Sequence, residues 1–197
     1  MRLWRNRIVR FKQMIVDADI CIKIGGSAKY RYLEKLLPAM AEKIYMHKAV
    51  YDEIMIPACA KEQVDELIKS GILELIDEEQ LNAIERHIYN AIYESLARVM
   101  INPKRERKNR GEVSSLAMAK TKSITYFGTD EKDLQLIIDE KLNNGMDDIY
   151  CIRIIDIIYM IKNGELEGLK RKDAKMLWRL SGKSVERFDR EIWICAD

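Results

Sequence analysis

Two rhythms of apolar residues alternate along the chain. Short, β-branched runs bounded by turn residues read as buried strands, and stretches with apolar residues every three to four positions read as helices. Residues 14–16 (Met-Ile-Val) are the first short run and end in acids; Gly25-Gly26-Ser27 closes that unit, with Cys21 in a strand-like position. Residues 30–43 predict a helix with Leu33, Leu36, Leu37 and Met40 on one face, followed by a strand at 44–46. A helix begins near Ala49, another covers 61–69 and stops at Gly71, and 72–76 is a strand candidate. The longest predicted helix is 78–100, where Leu81, Ile84, Ile88, Ala91, Ile92, Leu96 and Val99 keep a 3.6-residue stripe up to Asn102-Pro103. Then come a helix at 111–120, a strand at 123–127, a helix at 131–142 and a strand at 149–152. Helices at 154–162, about 169–180 and 184–192 complete the chain.

Strands alternate with helices, and parallel neighbours need such crossovers, so mostly parallel pairing is expected. The predicted class is α/β: a helix-flanked, mostly parallel sheet in three layers, α/β/α. Residues 1–153 are expected to form the main domain and 154–197 a helical extension packed on it. The apolar helix 154–162 is expected to lie under the final helices or in a homodimer interface.

Composition narrows the class. With 197 residues, 48% hydrophobic and 34% charged, the chain can bury one core and is no disordered polyelectrolyte. A formal charge of +2 excludes nucleic-acid binding by bulk charge alone but leaves room for local patches. Four cysteines at 21, 59, 151 and 195 include no Cys-x-x-Cys pair, and His47 and His87 stand far from them, so reduced thiols and a cytoplasmic setting are expected. Asp17 and Asp19 interrupt the apolar stretch behind the basic start, which argues against a signal peptide. The run 149–161 is short and carries Arg153 and Asp156, so no membrane role is expected.

The chemistry lies in the acids. Open α/β sheets build sites at strand carboxyl ends. Asp17 and Asp19 follow the first strand, while Asp130, Glu131 and Asp133 follow the strand at 123–127. Glu53 follows the second strand, and Glu112 opens a helix. Carboxylates gathered in one cleft repel each other unless a cation neutralises them. An all-oxygen set suits Mg²⁺ or Mn²⁺, which can activate water for phosphoryl displacement. The same acids also serve as helix caps and dipole partners, and spacing alone leaves both readings open. No phosphate-binding Gly loop, Gly-x-Ser-x-Gly elbow or His-Glu-x-x-His pair competes.

Four segments resemble the PIN-domain nucleases. MIVDADICIKI is similar to the family's first strand, MHKAVYDEI to its second strand and following helix, NRGEVSSLAMAK to its third acidic segment and ITYFGTDEKDL to its fourth. They occur in the family's order over roughly residues 13–135. The resemblance implies a PIN-like fold and an endoribonuclease needing Mg²⁺ or Mn²⁺. It also implies a metal-binding and catalytic quartet of Asp17, Glu53, Glu112 and Asp130, with Asp133 as a fifth metal-binding acid. In many members the fourth-segment acids are two apart, which matches Glu131 and Asp133 instead. Many members are toxins held by a small antitoxin protein; others process RNA alone. The long helix at 78–100 and the extension after residue 153 depart from the minimal pattern.

Lys104, Arg105, Arg107, Lys108 and Arg110 precede Glu112 and are expected to hold the RNA backbone beside the acids; a solvated loop is the plainer alternative. Lys170, Arg171, Lys172 and Lys175 read as a solvated helix face, and Trp178, Phe188 and Trp193 as packing anchors. Thr129 and Ser115 read as supports for the acids or as ordinary polar positions. His47 and His87 read as structural, and Cys21 and Cys151 as small core residues.

Overall fold

The computed structural model describes residues 10–102, 104 and 108–194. Five strands form one sheet: β1 (Phe11–Val16), β2 (Ala41–His47), β3 (Leu73–Ile76), β4 (Tyr126–Gly128) and β5 (Tyr150–Ile152). All pairings are parallel, in the order β3-β2-β1-β4-β5. Helices α1 (Ala18–Gly25), α2 (Tyr32–Met40), α3 (Lys48–Glu53) and α4 (Ala58–Lys69) connect the first three strands. Helices α5 (Ala83–Met100) and α6 (Arg110–Thr121) lead back to β4, and α7 (Leu134–Lys141) leads to β5. Helices α8 (Ile154–Lys162) and α9 (Arg171–Leu180) follow, then a helical turn at Val185–Arg187 that widens at Phe188–Ile192.

This is the expected helix-flanked parallel sheet, consistent with a three-layer PIN-like α/β/α fold. Its layering follows from chirality. Parallel crossovers are right-handed, so chain that runs outward from β1 to β3 covers one face and chain that returns to β4 and β5 covers the other. Two cores result. Met14, Val16, Ile44 and Met46 pack with α1, α2, α4, α8 and α9. Ile15 and Phe127 pack with α5, α6 and α7. Neighbouring residues of β1 thus feed opposite cores, the period-two geometry of a strand buried on both faces.

Residues of the extension belong to the first core: Ile154, Ile157, Ile158 and Ile161 are buried with Leu177 and Phe188. The Tyr32 hydroxyl donates to Asp173 on α9 at 3.1 Å, and Phe188 lies between the rings of Trp178 and Trp193. Helix 154–162 is therefore covered from within. Arg171 and Lys175 pair with Asp189 on the surface, as a solvated face would.

Several expectations need correction. Cys21 sits on α1 instead of a strand, although it is fully buried. The period-two series Ile20, Ile22, Ile24 imitates a strand, but the residues buried with Cys21 are Ile20 and Ile24, a helical i, i+4 face. The helix expected to reach residue 43 ends at Met40, because pairing of Phe11 with Ala41 starts β2 there. Most of the predicted stripe misses the core: Leu81 and Leu96 are buried, but Ile84, Ile88, Ala91 and Val99 are exposed, and α5 buries Tyr89 and Met100 instead. His87, read as structural, is exposed on the same helix.

One buried amide ties the first crossover together. Gln63 on α4 has no exposed surface; its Oε1 accepts from the Leu33 N–H (3.1 Å) and its Nε2 donates to the Gly25 carbonyl (3.0 Å). It closes the end of α1 against the start of α2. Gln63→Leu leaves the Leu33 N–H unpaired and the Gly25 carbonyl with only the weak Cys59 Sγ–H donor, 3.2 Å away, at a cost of about 1–3 kcal/mol. The expected result is a melting temperature lower by roughly 4 °C or more in thermal denaturation; an unchanged value would remove this role.

Candidate functional site

The order β3-β2-β1-β4-β5 reverses direction beside β1, where chain leaving β1 turns one way and chain entering β4 arrives from the other. A crevice at the carboxyl ends of the two strands is the expected ligand position in such a sheet. Asp17 directly follows β1, and its backbone N–H donates to the Gly128 carbonyl of β4 at 2.8 Å. That bond fixes Asp17 beside the turn at 129–131. In that turn Thr129 is fully buried, and its hydroxyl accepts the Glu131 N–H at 3.2 Å.

Helix α6 brings the third segment. It is buried from Val113 to Ala119 by small and apolar residues that let it lie closely on the sheet. Glu112 is the single acid in this helix and stands in its first turn, at the same end as Asp17. Helix α3 brings Glu53, whose Oε1 accepts the Gly111 N–H at 3.2 Å. A Cβ at Gly111 would meet Glu53 Oε1 at 2.6 Å, so the carboxylate would have to leave its place on that amide.

Five carboxylates line one cleft of about 300 Å³: Asp17, Asp19, Glu53, Glu112 and Glu131, with Lys108 and Asn109 on the rim. Three of the four quartet acids are thus brought together. The fourth is not among the lining residues. Asp130 is buried, but its Oδ2 accepts from Lys23 Nζ at 3.0 Å, its Oδ1 accepts from the Ile154 N–H at 3.3 Å, and Lys183 Nζ stands 3.9 Å away. It holds α1, α8 and the segment after α9 to the sheet. Asp133 is exposed, precedes α7 and does not line the cleft. The fourth-segment acid in the cleft is Glu131, and Asp19 is an acid the quartet omitted. Its signal was its place two residues after Asp17, on the first turn of α1.

Electrostatics separates the two readings of these acids. Asp17 occupies the N-cap position of α1 but makes no side-chain capping bond. Burial, with the Ala18 amide opposing and Glu53 and Asp19 adding repulsion, pushes its carboxyl up to about 7. Glu112 is pushed up to about 8 by burial and then by Asp17, Glu131, Asp19 and Glu53. Its Oε1 is buried and has no hydrogen-bond partner. Glu53 is raised by burial, with the Gly111 N–H opposing. Among the described residues, ion pairs reach Asp19 and Asp130 through Lys23, and none reaches Asp17, Glu53, Glu112 or Glu131. This donor set suits a hard divalent cation in its chemistry. In position the acids line a shared cleft without converging on one point: no three His, Cys, Asp or Glu side chains among the described residues stand close enough to hold a metal ion.

Of the basic stretch, Lys108 lines the acid cleft, Arg110 lines a neighbouring depression, and Lys104 is an exposed turn residue. Arg105 and Arg107 lie outside the described residues. Ser115 is buried with an unpaired hydroxyl, and His47 caps α3 by accepting the Ala49 N–H on Nδ1. Cys151 is half-buried on β5. No helix among the described residues is long and apolar enough to cross a membrane.

Comparison of the chain with family models, with curated proteins and with solved structures gives no match.

The raised carboxyls imply a pH-dependent stability. Both Asp17 and Glu112 titrate higher folded than unfolded, so the native state carries more protons between their ordinary values and about 7 to 8. Metal-free protein therefore loses stability as pH rises through that window. Thermal melts in EDTA should show a midpoint several degrees lower at about pH 8 than at about pH 5.5. Asp17→Asn should flatten the fall, and Mn²⁺ should raise the wild-type midpoint at the higher pH. A flat wild-type profile would show that the acids are not coupled as described.

Proposed function

We propose that this chain is a divalent-metal-dependent endoribonuclease of PIN-like type. The observation that carries the reading is the set of five carboxylates lining one cleft at the reversal between β1 and β4, with Asp17 buried and Glu112 Oε1 left without a partner. Buried structural acids are paired or hydrogen-bonded; among the described residues no ion pair reaches Asp17 or Glu112, and three further acids line the cleft beside them. Asp17, Glu53, Glu112 and Glu131, which stand apart in this structure, would have to draw together to hold Mg²⁺ or Mn²⁺, with Asp19 beside them. When bound, the ion supplies positive charge at the phosphoryl oxygens and lowers the pKa of a water.

The chain's own residues do the rest. The Gly111 N–H orients Glu53, and the Thr129 hydroxyl orients Glu131 by holding its backbone N–H. Lys108 stands on the rim, where a phosphate of a single strand would meet it. The resemblance to PIN-domain nucleases supports RNA as the substrate and, for a toxin, an antitoxin partner over the cleft, while the cysteine pattern supports a cytoplasmic setting.

Lys23 favours a second reading. It neutralises Asp19 and Asp130 together, as a binding module without chemistry would. Mn²⁺ titration separates the two, since such a module has no need of the ion.

Asp17→Asn is expected to lower Mn²⁺-dependent cleavage of a mixed single-stranded RNA pool by roughly 10³-fold, as for residues that act as a unit. Full cleavage by a folded Asp17→Asn protein would remove the site. Lys108→Ala should weaken RNA binding and reduce the slope of log affinity against log salt by about 0.7, the value for one single-strand phosphate contact.

A further inference from the structure

A second depression, of about 730 Å³, adjoins the acid cleft across Glu53, which lines both. Its chemistry differs. His47, at the end of β2, lines it and is only 2% exposed. Nδ1 accepts the Ala49 N–H at 3.1 Å, so the neutral ring carries its proton on Nε2. Burial keeps His47 below its ordinary range despite Glu78 and Asp77, which favours that neutral form. Nε2 is buried and has no hydrogen-bond partner; Glu78 Oε2 stands 3.6 Å away, too far for a direct bond. A buried donor is rarely left unpaired without a ligand or water to meet it.

The acceptor beside this donor is held in place. Glu78 Oε1 accepts the Tyr89 hydroxyl at 2.7 Å, and the Tyr89 ring lies nearly parallel to His47, 6.4 Å between centroids. Lys48 and Arg110 are the cations of the wall, outnumbered by Asp52, Glu53, Asp77, Glu78 and Glu79. A phosphate is repelled by such a wall, whereas a neutral ring carrying N–H donors is accepted. The exposed Met55 side chain adds an apolar surface for its face.

We propose that this depression is a nucleobase subsite that receives the base next to the scissile phosphodiester and favours guanine. Guanine sets an acceptor, O6, beside two donors, N1–H and N2–H₂, on one edge. Nε2 is closed to solvent in this structure, so binding has to uncover it; His47 Nε2–H then meets the first and the Glu78 carboxylate meets the others. Unstacked bases of single-stranded RNA offer this edge freely. The inference rests on the nuclease reading for placing the base next to the cut.

The test is binding in EDTA, where cleavage plays no part. The probes are four labelled oligouridine pentamers that differ only in a central G, A, C or U, followed by fluorescence anisotropy. The G probe should bind about tenfold more tightly than the others, the range for a good paired contact. His47→Asn keeps an acceptor for the Ala49 N–H, as a helix cap requires, and removes the Nε2 donor; Glu78→Gln alters the acceptor. Both should level the four affinities, with circular dichroism confirming the fold. Equal binding of the four probes by wild type, or a G preference that survives in both variants, overturns the subsite. A G preference lost in the variants sustains it, even if Mn²⁺ elicits no cleavage; that second result overturns the nuclease reading alone.

Discussion

Like charge buried at the reversal of the sheet is the constraint on which the rest of this structure depends. Asp17 and Glu112 are pushed up to about 7 and 8 by burial first and repulsion second. A fold gains nothing in stability from such a group. It persists because strong elements on every side fix it: β1 buried on both faces, α6 packed into the second core, and the Asp17 N–H bonded to Gly128. The site is held by apolar packing and backbone pairing, and its own side chains work against it until a cation or protons arrive.

The supporting elements were largely readable in the chain, because their signals are local. The β-branched run at 14–16, the turn after residue 127 and the small residues of 111–120 each specify an element without reference to the rest. Glu112 was legible as a candidate for the same reason: it is the one acid in a helix otherwise built to be buried. What was illegible depended on distant partners. Strand β2 begins at Ala41 because Phe11 pairs there, and nothing within 30–43 announces the switch. The stripe on α5 is apolar on a broad arc, and periodicity does not say which part of the arc meets the core.

The division between Asp130 and Glu131 shows the same limit at the site. Both follow β4, in a run with Asp133 where any of the three could serve. The role of Asp130 is decided by groups far away in sequence, and that of Glu131 by its own turn. Lys23 on α1 and the Ile154 N–H at the start of α8 take Asp130, and Thr129 leaves Glu131 turned to the cleft. A single strand end thus supplies one acid to hold the fold and a neighbouring one to face the cleft.

That division also explains the extension. Asp130 is buried at the carboxyl end of β4, and a carboxylate buried there needs a donor and positive charge beside it. Here the chain after β5 returns, places the α8 amide on Asp130 Oδ1 and brings Lys183 within 3.9 Å. Together with Lys23 it balances the one acid that is deepest on that side, so the unbalanced charge is confined to the cleft. The residues after 153 therefore do structural work at the carboxyl end of the sheet, beside the acid cleft.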